Sequence, residues 1–355
     1  MKHFKEKKRI IEQNPELELC DNGDFRIRRE LVEGYEIIDT HCHLYRSLSQ
    51  LFPAFLQKEI HDPNISLMDK SCFPFAMDLF DLDKVYFTSC PTSLGSIDGI
   101  RTRIKLLSGA FVINYATEER LLRDMDENGI HKALVLQINP PGKSCRNDME
   151  DMVQHNKRLL TFGSIHPMDE NIPEQIDSYM KLDIKGWKLN PHIWGVPIDC
   201  KETVALLKEL AKTGLPIISC SGIGLPEETL RSHVPSKQTK KEVMTQKIDR
   251  FRAVLDQIPE ARFVMAHSGC FDFEGIIPIM KEFPNTYTDI SIQPAANIRR
   301  LIAEIGSDRI MFGTDYPFVS QAFSILSVLR ATSDEEQRRK IFSGNAKTIL
   351  SISST

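Results

Sequence analysis

The chain has 355 residues, of which 41% are hydrophobic, and this is enough to bury a large core. The formal net charge of −4 gives no electrostatic reason to expect nucleic acid or an anionic membrane as a partner, and no segment approaches the roughly 18 consecutive apolar residues of a membrane-spanning helix. The eight cysteines form no CxxC pair, so we expect reduced thiols in a cytoplasmic protein.

Short apolar segments recur along the chain and are typical of buried strands. The first, EIIDTH, precedes a long irregular stretch, and each later one follows a segment with helical spacing of apolar residues. The clearest of these helices is KETVALLKELAKTG, which ends at Gly214. The predicted strands lie at 36–41, 132–138, 160–165, 184–190, 215–220, 261–267, 286–291 and 309–315.

Alternation of near-continuous apolar strands with helices predicts a parallel sheet covered by helices. Eight such units favour an α/β fold of the (β/α)8 barrel type, a TIM barrel. The alternative is a doubly wound open sheet. We expect one barrel domain over residues 35–355, preceded by an N-terminal extension, residues 1–34, that forms a small hairpin or helix against the barrel.

One connection is much longer than the others. Residues 44–116, an aromatic-rich insertion of 73 residues, separate the first strand from the first clear helix. Loops of this length usually carry function or have structure of their own. In a barrel the insertion leaves from the carboxyl end of the first strand, where active sites lie. We therefore expect a lid or pocket wall, a homodimer contact, or both.

Polar residues stand at or near the ends of the predicted strands. Because a parallel barrel brings all strand carboxyl ends to one rim, side chains distant in sequence converge there. These residues are His41, Cys42 and His43 on the first strand, His166 on the third, Lys188, Asn190 and His192 on the fourth, Cys220 on the fifth, His267 on the sixth and Asp315 on the eighth.

The HCH segment, residues 41–43, raises the question of which of its side chains are able to bind the same metal ion. Side chains alternate in an extended strand, so His41 and His43 point the same way and Cys42 points away from them. Two imidazoles at this spacing are able to share one metal ion. A satisfied pair of core histidines is the simpler alternative for HxH alone.

Five motifs, IIDTHCHL, GWKLNP, GLPIISCSGIG, FVMAHSG and IMFGTDYPF, occur in an order that resembles the amidohydrolase superfamily. The nearest branch is the amidohydrolase-2 group, which includes aminocarboxymuconate-semialdehyde decarboxylase. The resemblance spans about residues 35–350 and implies a distorted (β/α)8 barrel with one or two divalent metal ions at its mouth.

By position, the resemblance implies roles for four residues. His41 and His43 match the metal ligands of the first strand, and Asp315 matches an aspartate that binds metal and accepts a proton from water. His267 matches a catalytic histidine that orients the reacting water, or a ligand in members with two metals. A core histidine and a turn-capping aspartate are the structural alternatives.

Two positions differ from, or are ambiguous in, the family pattern. Lys188 stands where two-metal members carry a carbamylated, bridging lysine, but we favour an unmodified lysine that binds an anionic group of the substrate. Cys220 replaces a metal-binding histidine, and we expect its thiolate to bind the metal, most simply zinc. The alternative is that Cys220 does not bind and the metal is weak or absent.

The resemblance implies a metal-dependent hydrolase that cleaves an amide, lactone or related ester of a small molecule. A non-oxidative decarboxylase on the same site is the second hypothesis, and a catalytically silent metal-binding protein is the third. His166 and His192 are further candidates for substrate contact, and Arg46, Arg101 and Arg103 are candidates for holding a carboxylate.

Overall fold

The computed structural model describes six ranges of the chain: residues 2–44, 58–70, 111–137, 146–222, 247–270 and 272–352. Most of the predicted insertion lies outside them, as do its three arginines, Arg46, Arg101 and Arg103. No helix within the described residues is both long and apolar enough to cross a membrane.

The N-terminal segment contains both a helix, Lys2–Gln13, and an antiparallel hairpin of β1 (Leu17–Leu19) and β2 (Phe25–Ile27). Phe25 stacks obliquely on Phe323, with ring centroids 5.3 Å apart. This contact fixes the hairpin against one of the last helices of the chain.

The barrel strands follow, and they are short and parallel. Within the described residues they are β3 (Ile38–Cys42), β4 (Lys132–Val135), β5 (Leu159–Thr161), β6 (Trp187–Leu189), β7 (Ile217–Cys220), β8 (Phe263–Ala266), β9 (Thr286–Asp289) and β10 (Ile310–Met311). β3, β4 and β5 form one ladder, and β6 to β10 form a second in chain order.

Backbone hydrogen bonds join the two ladders at both edges and close the barrel. At one edge, Lys185 N–H donates to the carbonyl of Thr161 at 2.8 Å. At the other, Thr40 N–H donates to the carbonyl of Phe312 at 2.9 Å, and Cys42 bridges Tyr316 in parallel register. The eight-stranded barrel predicted from the sequence is therefore confirmed.

Helices surround the barrel. In the described residues they are Leu67–Lys70, Glu118–Asn128, Arg146–His155, Ile172–Met180, Pro191–Trp194, Lys201–Ala211, Ile248–Leu255, Phe273–Glu282, Ala295–Ile305, Gln321–Ala331, Glu335–Arg339 and Asn345–Ile349, the last two joined by a π turn at Lys340–Gly344. The helix at Glu118–Asn128 shows why the ends lie where they do: Thr117 caps its start, and Gly129, with φ of 69°, ends it.

Two buried apolar clusters match the two sides of the strands. The larger lies between strands and helices, and the smaller, inside the barrel, includes Leu134 of β4, Ile218 of β7 and Val264 of β8. Ile349 of the C-terminal helix joins the smaller cluster, and its carbonyl accepts a hydrogen bond from Arg262, just before β8. The C-terminal helix thus covers the end of the barrel opposite the strand carboxyl ends.

One described part of the insertion, residues 66–69, is attached to the N-terminal segment. Asp24 accepts hydrogen bonds from the hydroxyl of Ser66 at 2.7 Å and from the backbone N–H of Met68 at 3.0 Å, and Lys7 pairs with Asp69 at 2.9 Å. The predicted lid or pocket wall was placed in residues 44–116, of which 45–57 and 71–110 lie outside the described residues.

Gly163, at the closing edge of the barrel, offers a test of this packing. A Cβ at this position would lie 2.5 Å from Cζ3 of the fully buried Trp187, whose ring is held by a hydrogen bond to Thr213. We expect Gly163→Ala to lower the free energy of unfolding by about 1–3 kcal/mol, measured by urea denaturation. Gly34→Ala is the matched control, since its nearest atom is 3.9 Å away. Equal stability of the two variants would contradict the prediction.

Candidate metal centre

The two histidines of the first barrel strand are buried and face the same side. Their ring centroids lie 5.1 Å apart, and each residue is at most 3% exposed. Cys42 points away, and its thiol donates to the carbonyl of Leu134 at 3.2 Å. The predicted alternation of His41, Cys42 and His43 is therefore what the structure shows.

Asp315 lies beside these histidines on the loop after β10. Its backbone takes a left-handed φ of 62°, and its N–H donates to the carbonyl of His41 at 2.7 Å. One carboxylate oxygen lies 3.2 Å from Nε2 of His43 and 3.8 Å from Nε2 of His41. Because Asp315 is not in extended conformation, the predicted strand at 309–315 is too long, and the structure ends it at Met311.

The hydrogen bonds of the two histidines decide which ring nitrogen faces Asp315. Nδ1 of His43 lies 2.8 Å from the carbonyl of Leu136, an acceptor, so Nδ1 carries the proton. Nδ1 of His41 likewise donates to Asp289 at 3.0 Å. In the neutral rings, both Nε2 atoms therefore present lone pairs to a carboxylate oxygen. Two facing acceptors at 3.2 Å repel each other unless a proton or a metal cation is shared between them, and two imidazoles with a carboxylate are a donor set that fits a metal ion.

His267 reaches the same cluster from the loop after β8. Its ring lies 4.4 Å from that of His41, and its Nδ1 donates to the hydroxyl of Ser291 at 2.7 Å. Burial, with the neighbouring His41 ring as the next cause, lowers the pKa of His267 to about 3. The ring is therefore neutral near pH 7, with its Nε2 lone pair available as an acceptor.

Asp289, at the end of β9, organises these contacts and was missed in the sequence analysis. It is fully buried and accepts hydrogen bonds from Nδ1 of His41, from the backbone N–H of His267 and from the hydroxyl of Ser291. A carboxylate that accepts a hydrogen bond from the second ring nitrogen of a metal-binding imidazole fixes the tautomer and orientation of that ring, and Asp289 does this for His41. Its place at the end of a strand, in TYTDIS, is the one sequence signal that pointed toward the site.

A second buried acid, Asp39, ties β3 to the loop that carries Asp315. Its carboxylate accepts hydrogen bonds from the hydroxyl of Thr314 at 2.6 Å and from the backbone N–H of His41 at 3.0 Å. Burial raises the pKa of Asp39 to about 7. Asp39 thus supports the ligand loops, and its carboxylate does not belong to the donor clusters.

Lys188 and Cys220 lie together at the inner face of neighbouring strands. The ammonium of Lys188 is 3.2 Å from Sγ of Cys220 and 3.5 Å from Nε2 of His41. Burial raises the pKa of the Cys220 thiol, and Lys188 acts in the opposite direction. Among the residues that the structure describes, no carboxylate oxygen lies within 4.0 Å of this buried ammonium.

The potential ligands form two overlapping groups within the described chain. In each group the donor atoms lie within 4.8 Å of one another, and both groups contain His41: one adds His43 and Asp315, the other Cys220 and His267. The structure thus brings together every residue predicted to bind metal. Which of them bind it stays a prediction.

The two remaining candidates lie on the wall of the barrel mouth. Nε2 of His192 donates to the carbonyl of Gly222 at 3.0 Å, so this ring links two loops. His166 packs edge-on against Trp194, with ring centroids 5.3 Å apart. Neither residue belongs to the groups with metal-ligand spacing.

Comparison with known proteins agrees with this geometry. The family model described as amidohydrolase matches residues 38–352, nearly the whole described barrel. It confirms the resemblance drawn from the sequence motifs and supports a divalent metal at the site.

Solved structures with the same fold include two decarboxylases. The 5-carboxyvanillate decarboxylase from Novosphingobium aromaticivorans, complexed with manganese and 4-hydroxy-3-methoxy-5-nitrobenzoic acid, is 15% identical with a TM-score of 0.57, over 90% of this chain and 97% of that one. The 2,6-dihydroxybenzoate decarboxylase from Rhizobium is 16% identical with a TM-score of 0.55, over 89% and 99%.

A hydrolase also matches. A probable 2-pyrone-4,6-dicarboxylic acid hydrolase from Acinetobacter baumannii is 12% identical with a TM-score of 0.51, over 89% of this chain and 100% of that one. At these identities the likeness establishes the fold.

Proposed function

This chain belongs to the amidohydrolase family of enzymes, and from that premise we propose that it is a metal-dependent, non-oxidative decarboxylase of a small aromatic carboxylic acid. The sequence motifs favoured hydrolysis and placed decarboxylation second. Two decarboxylases among the structures of the same fold, together with the buried charge of Lys188, support the reverse order.

The observation that carries the metal requirement is the opposition of His43 Nε2 and the Asp315 carboxylate at 3.2 Å. His41, His43, Asp315 and Cys220 would hold the ion, and Asp289 would orient His41. When bound, a divalent ion supplies Lewis acidity and holds oxygen atoms of the substrate in place.

Lys188 supports a carboxylate substrate. A buried ammonium is unfavourable without an anionic partner, and within the described residues Lys188 makes polar contacts with the Cys220 sulfur and a ring nitrogen of His41. A substrate carboxylate would supply the missing negative charge. This agrees with the role favoured for Lys188 from the sequence, that of an unmodified anion-binding lysine.

Asp315 would carry the proton that the reaction consumes. Decarboxylation breaks the bond between the substrate carbon and its carboxylate, and the electron pair left on carbon takes up one proton as CO2 leaves. The Asp315 side chain is 17% exposed, so it can reach the substrate and be protonated again from solvent. Neutral His267 would accept a hydrogen bond from a substrate hydroxyl through Nε2.

Hydrolysis stays the second candidate function. The same carboxylate is able to accept a proton from water and return it to a leaving group, and one structure of this fold is described as a probable hydrolase. Because the same residues are able to serve both reactions, the substrate that the barrel mouth admits would decide which reaction occurs.

The products distinguish the two candidates. We would incubate the purified protein, after measuring its metal content, with carboxyl-13C-labelled 2,6-dihydroxybenzoate and 5-carboxyvanillate, and separately with lactones and amides in H218O. The proposal expects 13CO2 and no 18O in any product, with Asp315→Asn as the inactive control. Incorporation of 18O without release of CO2 would make the protein a hydrolase.

We propose zinc as the ion, because Cys220 lies in the same cluster as two histidines and zinc accepts both nitrogen and thiolate ligands. Manganese, the ion of the related decarboxylase complex, prefers oxygen ligands. Elemental analysis of the protein purified without added metal decides between them.

Substitution of Cys220 tests its predicted role as a ligand. We expect Cys220→Ser to weaken zinc binding by at least about tenfold, the effect of losing even a supporting group of a metal site, and to change manganese binding much less. The Cys220 thiol should also resist alkylation until a chelator removes the metal. Cys42→Ser is the control, because that thiol points away from the cluster. Alkylation that is independent of metal, with unchanged affinity, would show that Cys220 only fills space.

A further inference from the structure

His166 has a ring nitrogen that the site described so far does not use. It lies on the loop after β5, where its backbone N–H donates to the Asp169 carboxylate at 3.3 Å. Nδ1 of the ring accepts a hydrogen bond from the backbone N–H of Met168 at 3.2 Å. Because Nδ1 is the acceptor, the proton of the neutral ring is on Nε2.

Among the described residues this Nε2–H group is buried without a hydrogen-bond partner, although His166 as a whole is 6% exposed. Burial lowers the pKa of His166, so the ring stays neutral and does not act as a cation near pH 7. A buried donor without an acceptor is unfavourable, and such groups often mark a place for water or a ligand.

The surroundings of His166 place it on the wall of the barrel mouth. Its ring contacts Trp194, in the short helix that directly follows β6, the strand of Lys188. The backbone N–H of Lys188 donates to the carbonyl of Gly163 at 2.7 Å. This bond holds the segment that leads from β5 to His166 beside β6. Met168 and Ile193, close in sequence to His166 and Trp194, have exposed apolar side chains. His166 therefore presents a neutral donor beside the Trp194 ring at the barrel mouth, with the Asp169 carboxylate held by its backbone N–H.

We propose that His166 is a specificity-determining residue whose Nε2–H donates a hydrogen bond to an oxygen substituent on the ring of an aromatic carboxylic acid. A neutral donor beside an aromatic wall suits an uncharged oxygen, such as a hydroxyl or methoxy group, better than a second carboxylate. This inference rests on the proposed function, since it assumes an aromatic acid at the metal centre.

Binding of two matched probes tests the proposal. Benzoate has no oxygen substituent on its ring besides the carboxylate, and 4-hydroxy-3-methoxybenzoate has two. We would measure both dissociation constants by calorimetry on the metal-containing wild type, His166→Phe and His166→Gln. Phenylalanine keeps a ring against Trp194 but removes the donor, and glutamine keeps an N–H donor of similar reach.

The wild type should bind the substituted acid about tenfold more tightly than benzoate, the usual effect of one hydrogen bond in a buried site. His166→Phe should abolish most of that difference by weakening only the substituted acid, and His166→Gln should keep most of it. In 15N-histidine NMR spectra, the signal that His166→Phe removes should shift with the substituted acid and stay in place with benzoate.

Equal affinity of the wild type for both probes, binding of neither, or an equal loss for both in His166→Phe would overturn the inference and leave a buried water as the partner of Nε2. The CO2 assay is independent of these outcomes. A protein that shows the probe difference but releases no CO2 would retain the His166 contact while contradicting decarboxylation, and the converse result would contradict the contact alone.

Discussion

Replacement of His41 by alanine is expected to remove both the bound metal and the activity. His41 belongs to both overlapping ligand groups, so its loss leaves a pair of close donors in each. Three protein ligands are near the minimum for a catalytic zinc site. We expect His41→Ala to retain less than about a tenth of the wild-type metal content, by elemental analysis, and to release no CO2 above background.

The matched control is Cys42→Ala, one residue away. Cys42 is as deeply buried as His41 and lies on the same strand, but its thiol faces Leu134 and not the cluster. Cys42→Ala should keep its metal even if its unfolding temperature falls. Thermal unfolding of both variants therefore distinguishes loss of metal from loss of fold. Unchanged metal content in His41→Ala would show that the ion, if present, lies elsewhere.

The barrel itself was predictable because its strands are buried on both faces. Strands of this kind read as short apolar runs, and eight of them alternate with helices along the chain. Closure was not visible in the same way. It depends on hydrogen bonds such as that of Lys185 with Thr161 and that of Thr40 with Phe312, which connect residues by register and not by composition.

The first barrel strand shows where simple alternation fails. Ile38 faces the inside of the barrel, and His41, three residues later, also faces the site, although alternation would place them on opposite faces. A register shift between Asp39 and Cys42 accounts for the change of phase. The predicted relation of His41 to His43 still holds, because their rings lie 5.1 Å apart on one side of the strand although His41 is within this irregularity.

The site was only partly predictable for a similar reason. Residues at strand ends, such as His267 and Cys220, follow from the rule that a parallel barrel gathers these ends at one rim. Asp289 obeys the same rule, but a single acid in TYTDIS has no spacing that marks it as a partner of histidine. The unused donor of His166 depends on a backbone contact to Met168, which no motif encodes.

Replacement of Asp315 by asparagine is expected to separate the two proposed roles of Asp315, that of a metal ligand and that of a proton carrier. Asparagine keeps an oxygen near Nε2 of His43 but cannot hold and deliver a proton, so kcat should fall by roughly 10³-fold, within the range for loss of a general acid–base group. Excess zinc should not restore the rate. The measurement is CO2 release at saturating substrate, with metal content determined in the same sample.

Asp289→Asn supplies the contrast, because Asp289 supports the site without facing the substrate. Weaker orientation of His41 should reduce metal affinity by about 10- to 100-fold, and saturating zinc should restore most of the rate. The two variants therefore predict opposite responses to added metal. If excess zinc returned Asp315→Asn to the wild-type rate, Asp315 would be a ligand alone, and another group would have to deliver the proton.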